Sequence, residues 1–333
     1  MRFLTFLALI TLVLAGCVQP ASEESGKPVI EKSGKFVIED MTGKKIELEK
    51  RPERVVFLAG ESWIYALGVK DKVVGVSRLA YTNPVLLKID PEITEIPSPG
   101  DPDSGVNIEE LLKMNPDIVI VWDECPPYKK IADRIEEYVP VFRIGWMREY
   151  PDDFCKQARL LGELFGKEDR AEKVCDYITH EWNSIMERRP AEKKRVLFSF
   201  ISVTWVACTD NPYARYIEAV GGENIVNCSG VWRGVSREWI IQHNPEVWLI
   251  SYYAKYNESK ILKDPAFGDV EAVKNGRVYK ESYKPFEYLE PYFILTLKEY
   301  ANYIHPEVYS YNLAEEEEEL LKEVYGVDSN SKP

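Results

Sequence analysis

Residues 105–122 read GVNIEELLKMNPDIVIVW, and residues 234–251 read GVSREWIIQHNPEVWLIS. The two stretches align without a gap. In each, a Gly-Val lead precedes an N-cap residue, Asn107 or Ser236, followed by an apolar helical stripe, an Asn-Pro stop and a short apolar run of strand character. Pro116 and Pro245 bias the asparagine before them away from the helical region, so each helix ends there and a strand starts afresh. A solenoid would show such a unit many times at a short period, whereas a single repetition far along the chain implies two similar lobes. Glu109 and Glu238 fall at the second helical position of the two units, where a carboxylate interacts favourably with the partial positive charge of a helix start. That stabilisation and a binding role weigh equally for both glutamates at this point.

Short runs rich in Val and Ile at residues 55–58, 73–76, 118–121 and 141–144, separated by helical or loop segments, read as buried parallel strands. Residues 36–49 before them alternate around a Thr-Gly turn and predict a β-hairpin. A second alternation has strands at residues 196–200, 247–250 and 277–279. Between the two lies a helical pattern at residues 152–188, weakened only at Gly162 and Gly166 and ended by Pro190, which reads as one long helix or two. The expected fold is α/β: two Rossmann-like lobes with central sheets, residues 36–150 and 191–328, joined by a single long interlobe helix within residues 151–190.

The chain opens MRFLTFLALITLVLAGC, with one positive charge at Arg2 and an apolar run too short to span a bilayer, which takes about 20 residues. Residues 1–16 read as a signal peptide. The ending Leu14-Ala15-Gly16-Cys17 resembles a lipobox, so Cys17 is expected to be lipidated and to anchor the protein to the outer side of the cell membrane. An uncleaved anchor with an incidental cysteine is the competing account. Residues 17–35 then form a polar tether, and residues 329–333 a disordered tail.

A formal net charge of -13 argues against nucleic acid, because a phosphate backbone calls for clustered Lys and Arg. Solubility is the simplest account of the charge, and the acidic run at residues 315–319 reads as a solvated helix face. Cys125, Cys155, Cys175, Cys208 and Cys228 contain no C-x-x-C pair, which sets aside zinc-ribbon and thioredoxin chemistry. One or two disulfides and free buried cysteines both remain open.

In open α/β sheets the ligand crevice lies beyond the carboxyl ends of the strands. Aromatic residues concentrate there: Trp63, Tyr81, Trp122, Tyr128 and Trp146 in the first lobe, then Trp205, Trp232, Tyr252, Tyr253 and Phe286 in the second, with Tyr283 and Thr204 beside them. Any one of these rings has core packing as its simplest account. Together with Arg78, Arg148 and Arg233, whose guanidinium groups suit carboxylates or flat rings, they outline a cleft for a large, partly apolar, anionic small molecule. His180, His243 and His305 are too scattered to hold a bare transition-metal ion, so no metal site is expected. Phosphate-binding G-x-x-x-x-G-K, H-E-x-x-H and G-x-S-x-G are all missing, and no enzymatic activity or cofactor is expected.

The hairpin DMTGKKIEL followed by RPERVVFL, the segment GVNIEELLKMNPDIVIV, the long helical stretch, GGENIVNCSGVWRGVSREWIIQHNPEVWLIS and DPAFGDVEAVKNGRVY together resemble the metal-chelate-binding proteins of ABC importers. These are class III periplasmic binding proteins, which take ferric siderophores, haem or cobalamin. The resemblance implies two lobes on a rigid interlobe helix that moves little on binding, and a monomer that delivers ligand to an ABC permease dimer with cytoplasmic ATPase subunits. It also implies that Glu109 and Glu238 are permease-docking residues, one per lobe, meeting arginine clusters on the two subunits. A ferric siderophore or similar iron chelate is the leading ligand expectation. A corrinoid follows closely, because Trp232 resembles a cleft tryptophan of the cobalamin-binding branch, and haem comes third. Two other classes stand beside this reading: an extracytoplasmic tetrapyrrole chelatase, and a sensor presenting ligand to a membrane signalling partner.

Overall fold

Alternation of buried and exposed residues begins the fold. β1 (Phe36–Glu39) pairs antiparallel with β2 (Lys45–Leu48), burying Phe36, Ile38, Ile46 and Leu48 and turning the charged residues out. Asp40 shapes the turn by accepting hydrogen bonds from the backbone N–H groups of Thr42 at 2.9 Å and Lys44 at 3.1 Å. The chain is seen in a computed structural model that describes residues 34–122, 126–145, 148–282 and 290–327. The expected signal peptide with Cys17, most of the tether, the tail, Cys125, Trp146, Tyr283 and Phe286 lie outside the described residues.

The first lobe continues through β3 (Val55–Phe57), α1 (Trp63–Ala66), β4 (Val73–Val76), α2 (Pro84–Ile89), the two-residue strands β5 (Gly100–Asp101) and β6 (Gly105–Val106), α3 (Ile108–Lys113), β7 (Ile118–Trp122), α4 (Pro126–Glu136) and β8 (Val141–Ile144). Its four-stranded sheet is parallel throughout, in the order β4-β3-β7-β8.

The interlobe segment, open between one long helix and two on the sequence, is two helices, α5 (Asp152–Phe165) and α6 (Glu168–Glu187). Gly166 adopts φ 66°, a left-handed conformation that ends α5, and the Lys167 N–H closes the cap on the Gly162 carbonyl at 2.7 Å. A disulfide between Cys155 and Cys175 then staples the two helices together.

The second lobe runs through β9 (Lys194–Ser199), β10 (Trp205–Ala207), α7 (Pro212–Ala219), β11 (Gly222–Asn224), β12 (Trp232–Gly234), α8 (Arg237–His243), β13 (Val247–Ile250), α9 (Glu258–Leu262), α10 (Glu271–Lys274) and β14 (Val278–Lys280). Its parallel part, β11-β9-β13-β14, repeats the first sheet; antiparallel β10 and β12 extend it past the C-terminal end of β9. A second disulfide, Cys208–Cys228, ties the end of β10 to the segment entering β12. The chain closes with α11 (Phe293–Ile304) and α12 (Leu313–Tyr325). α12 returns to the first lobe, where Lys88 of α2 meets Glu317 at 2.6 Å and the Tyr325 hydroxyl donates to Ser62 Oγ at 3.2 Å.

Alternate strand residues serve different cores. Val55 and Phe57 of β3, with Val196 and Phe198 of β9, point into one continuous apolar cluster that also takes in α5, α6, α11 and α12. Val56 of β3 and Leu197 of β9 point the other way, into separate outer clusters with Leu111 of α3 and Ile240 of α8 respectively. Both faces of each sheet are therefore buried, as the Val/Ile-rich runs require.

The repeat keeps the same kinds of hydrogen bond at its ends. Asn107 accepts from the N–H of Glu109 at 3.0 Å and of Glu110 at 3.2 Å, and Ser236 accepts from the Trp239 N–H at 3.1 Å. Asn115 and Asn244 both stop their helices at positive φ, 47° and 43°. Asp117 then accepts from the Arg54 N–H at 2.9 Å, and Glu246 from the Arg195 N–H at 2.9 Å, pinning the start of β3 and of β9 in the same way.

Candidate functional site

The carboxyl ends of β3 and β7 open on a cleft enclosing about 510 Å³ of space, solvent included. Its lining combines apolar backbone turns with a few polar groups: Gly60, Glu61, Asn83, Trp122, Tyr128 and Glu290. Gly60 has φ 72°, and a Cβ there would sit 2.9 Å from Ile144 Cδ1, so the chain turns over the sheet end as only glycine allows without strain. Trp122 and Tyr128 meet edge to face, ring centres 4.7 Å apart, and the Tyr128 hydroxyl donates to Asp103 at 2.6 Å. Glu290, just before α11, crosses from the second half of the chain to accept the Ser62 N–H at 2.8 Å. Glu61 and Glu290 are both buried, which places two carboxylates in the wall.

The second lobe carries an aromatic wall at the same end of its sheet. Trp232 stacks on Phe200, ring centres 4.3 Å apart and planes 19° from parallel, and Tyr253 meets Phe200 edge-on at 6.0 Å. Behind them Phe198 stacks on Tyr213 at 4.8 Å. The turn from β9 to β10 is closed by the Phe200 N–H on the Trp205 carbonyl at 2.8 Å, and it holds Ile201 and Trp205 out at 59% and 38% exposure.

The expected site residues divide accordingly. Trp122 and Tyr128 line the first-lobe cleft, and Trp205, Trp232 and Tyr253 belong to the second-lobe wall. Arg78 and Arg233 are exposed, and Arg233, next to Trp232 on β12, points to the opposite face of the strand from it. Arg148 is exposed as well, and its carbonyl accepts a hydrogen bond from Arg215 of α7, a link between the lobes. Tyr81 is half-buried with its hydroxyl committed to the Ile96 carbonyl, and burial raises its pKa. Tyr252 is held through its N–H, which donates to Glu281 at 2.9 Å. Trp63 stands apart and corrects its expected place in the cleft: it is fully buried, with its ring 5.3 Å from Phe154 of α5. A position just past a strand end does not fix a side chain's direction, and α1 turns this one inward. Trp146 and Phe286 fall outside the described residues.

Sequence reasoning missed Glu61, Asn83, Phe200, Tyr213 and Glu290. Glu61 lies in the turn after β3, within reach of the strand-end rule that singled out the aromatics, and Phe200 is the strand-end residue of its own apolar run. Glu290 had no local signal, because it reaches the cleft only through the return of the chain ahead of α11. The histidines lie elsewhere: His180 is exposed on α6, His243 stacks on Trp239, and His305 is buried between the Gly221 carbonyl and Glu307.

Glu109 and Glu238 are exposed at the starts of α3 and α8, and among the described residues neither forms a salt bridge. Hydrogen bonds from its own N–H and from the Ser236 hydroxyl hold the Glu238 carboxyl below its usual range.

A family model described as periplasmic binding protein matches residues 55–281. Over 317 residues the chain is 24% identical to YvrC, an uncharacterised ABC transporter substrate-binding lipoprotein of Bacillus subtilis, covering 91% of this chain and 96% of that one. It is 23% identical over 206 residues to the vitamin B12-binding protein of Pectobacterium carotovorum, covering 60% and 71% of the two chains. In fold it is similar to CeuE of Helicobacter pylori, solved as a Ni-His complex, with a TM-score of 0.75, 19% identity and coverage of 89% and 97%.

Proposed function

The chain belongs to the periplasmic binding protein family, and from that premise we propose that it is the lipid-anchored, extracytoplasmic substrate-binding component of an ABC importer for a metal chelate, with a corrinoid as the ligand. The family is one of binding proteins, so the chelatase alternative is set aside. The observation that carries the reading is the chemistry at the two sets of strand ends: stacked aromatic rings on the second lobe, and a first-lobe cleft that joins Trp122 and Tyr128 to the carboxyl groups of Glu61 and Glu290. A flat macrocycle offers apolar faces to rings and an amide rim to carboxylate acceptors. That places a corrinoid ahead of the ferric siderophore that led the expectations from the sequence. The relative named as a vitamin B12-binding protein supports the same order. An iron chelate is the second reading, favoured by the exposed Arg78, Arg148 and Arg233.

Lipid on Cys17 would hold the protein at the membrane, and the B. subtilis relative named as a lipoprotein supports that anchor. Glu109 and Glu238 would dock the two lobes on the two subunits of the permease.

Titration of the purified protein with cobalamin, ferric siderophores, ferric citrate and haemin, followed by tryptophan fluorescence, tests the assignment. Cobalamin is expected to quench, and Trp232→Ala to weaken that binding about tenfold or more, as loss of a stacked ring costs on the order of 1.5 kcal/mol. Quenching by a ferric chelate alone would move the assignment to iron, and silence with every compound would end the chelate reading.

A further inference from the structure

The two copies of the repeat share a feature besides their glutamates. Leu112 and Ile241 occupy the same aligned position, three residues after Glu109 and Glu238 and therefore on the same helix face as each glutamate. Both are exposed, at 37% and 38%. Among the described residues only six large apolar side chains are exposed, and this repeated position supplies two of them. The inward stripe of each helix does not need them, because Leu111 and Ile240, one residue earlier, are the side chains buried in the outer cores.

The surroundings have diverged. In the first lobe Glu110 and Lys113 pair at 2.7 Å, whereas in the second Trp239 and His243 stack at 3.7 Å. What two otherwise different helices keep in common, on the outside, is a carboxylate and an aliphatic side chain one turn on. We infer that these form a two-part docking contact, presented once by each lobe to a membrane partner that offers a cationic side chain beside a shallow apolar socket in each of its two halves. The inference rests on the importer reading and extends it from charge to shape. Charge complementarity selects the partner: both carboxylates lack a salt bridge among the described residues, and the chain carries a formal net charge of -13. In such a contact the ion pair sets orientation and association rate, while the aliphatic group, dry once docked, holds the complex together.

The test uses the full lipoprotein with its own permease and ATPase complex in nanodiscs, reading ATPase stimulation against binding-protein concentration. Leu112→Ser with Ile241→Ser is expected to raise the half-stimulating concentration about tenfold or more at an unchanged melting temperature. Lys113→Ala with Gln242→Ala, the neighbouring repeated position, is expected to behave as wild type. Glu109→Ala with Glu238→Ala runs in parallel. If that pair fails to stimulate while the Leu112 and Ile241 variant works at the wild-type concentration, the apolar contact is refuted and the importer reading stands. Wild-type stimulation from both variants removes the docking reading itself. A loss from the Lys113 and Gln242 variant equal to that of the Leu112 and Ile241 variant also overturns the inference, since the effect would then not belong to this position.

Discussion

Glu281 follows β14 with a carboxylate at 4% exposure, accepting the Tyr252 N–H at 2.9 Å and the Tyr300 hydroxyl at 2.6 Å. Burial outweighs those hydrogen bonds and pushes its pKa from 4.5 up to about 8. Glu299 of α11, which interacts with it through charge, is raised by burial in the same direction. The sign follows from linkage: the unfolded carboxyl ionises near 4.5 while the folded one stays protonated to about 8, so its contribution to stability is full below the lower value and is lost as pH rises through the higher. Glu281→Gln keeps an accepting oxygen and cannot ionise. Melting curves from about pH 5 to about pH 9 should show the wild type losing on the order of a few kcal/mol more than this variant. Equal losses would place the titration elsewhere. At this scale the sequence was only partly legible. Strand-end position singled out Trp122, Tyr128 and Trp232 together with Trp63, and it could not tell that the Trp63 ring is fully buried, because which way a ring turns depends on the short helix that carries it.

The helix-to-strand repeat is where local chemistry spoke most plainly. Its caps, its Asn-Pro stops and its second-position glutamates follow from side-chain hydrogen bonding and from proline's effect on the residue before it, and these are properties of neighbours in sequence. Asn107→Ala and Ser236→Ala should each cost about 1 kcal/mol in chemical denaturation. Asn115→Gly should stay within a few tenths of wild type, because glycine tolerates the positive φ found there. A loss as large as a cap deletion at Asn115 would mean that its side chain matters for more than conformation. The interlobe segment was less legible. Gly162 and Gly166 look alike in sequence, yet Gly162 stays inside α5 and Gly166 ends it. The close approach of Ala171, whose Cβ lies 2.5 Å from where a Gly162 Cβ would stand, identifies Gly162 as a packing glycine. That distinction belongs to the packing of α6 on α5.

For the whole molecule, the cysteine question had no answer in spacing alone, although both bonded pairs are separated by 20 residues. Each bond is worth about 3 kcal/mol by restriction of the unfolded chain. The two should nevertheless differ in function. Cys155→Ser with Cys175→Ser loosens the α5–α6 hairpin and is expected to lower the melting temperature with ligand affinity kept. Cys208→Ser with Cys228→Ser frees the approach to β12, which carries Trp232, and should lower both. Affinity loss in the first variant alone would reverse this assignment of roles. Two lobes were legible from the repeat, but their junction was not, since the return of α12 to the first lobe and the crossing of Glu290 depend on contacts between residues far apart in the chain.

One apolar cluster passes without interruption from the first sheet through the helices to the second. Interdomain motion is expected where a junction is small and polar, and this one is neither. The junction between the lobes is thus part of the folded core. On the importer reading it would serve as a fixed gauge: a molecule too thick for the space between the lobes would be refused on size, and one that fits would be held without the lobes having to travel.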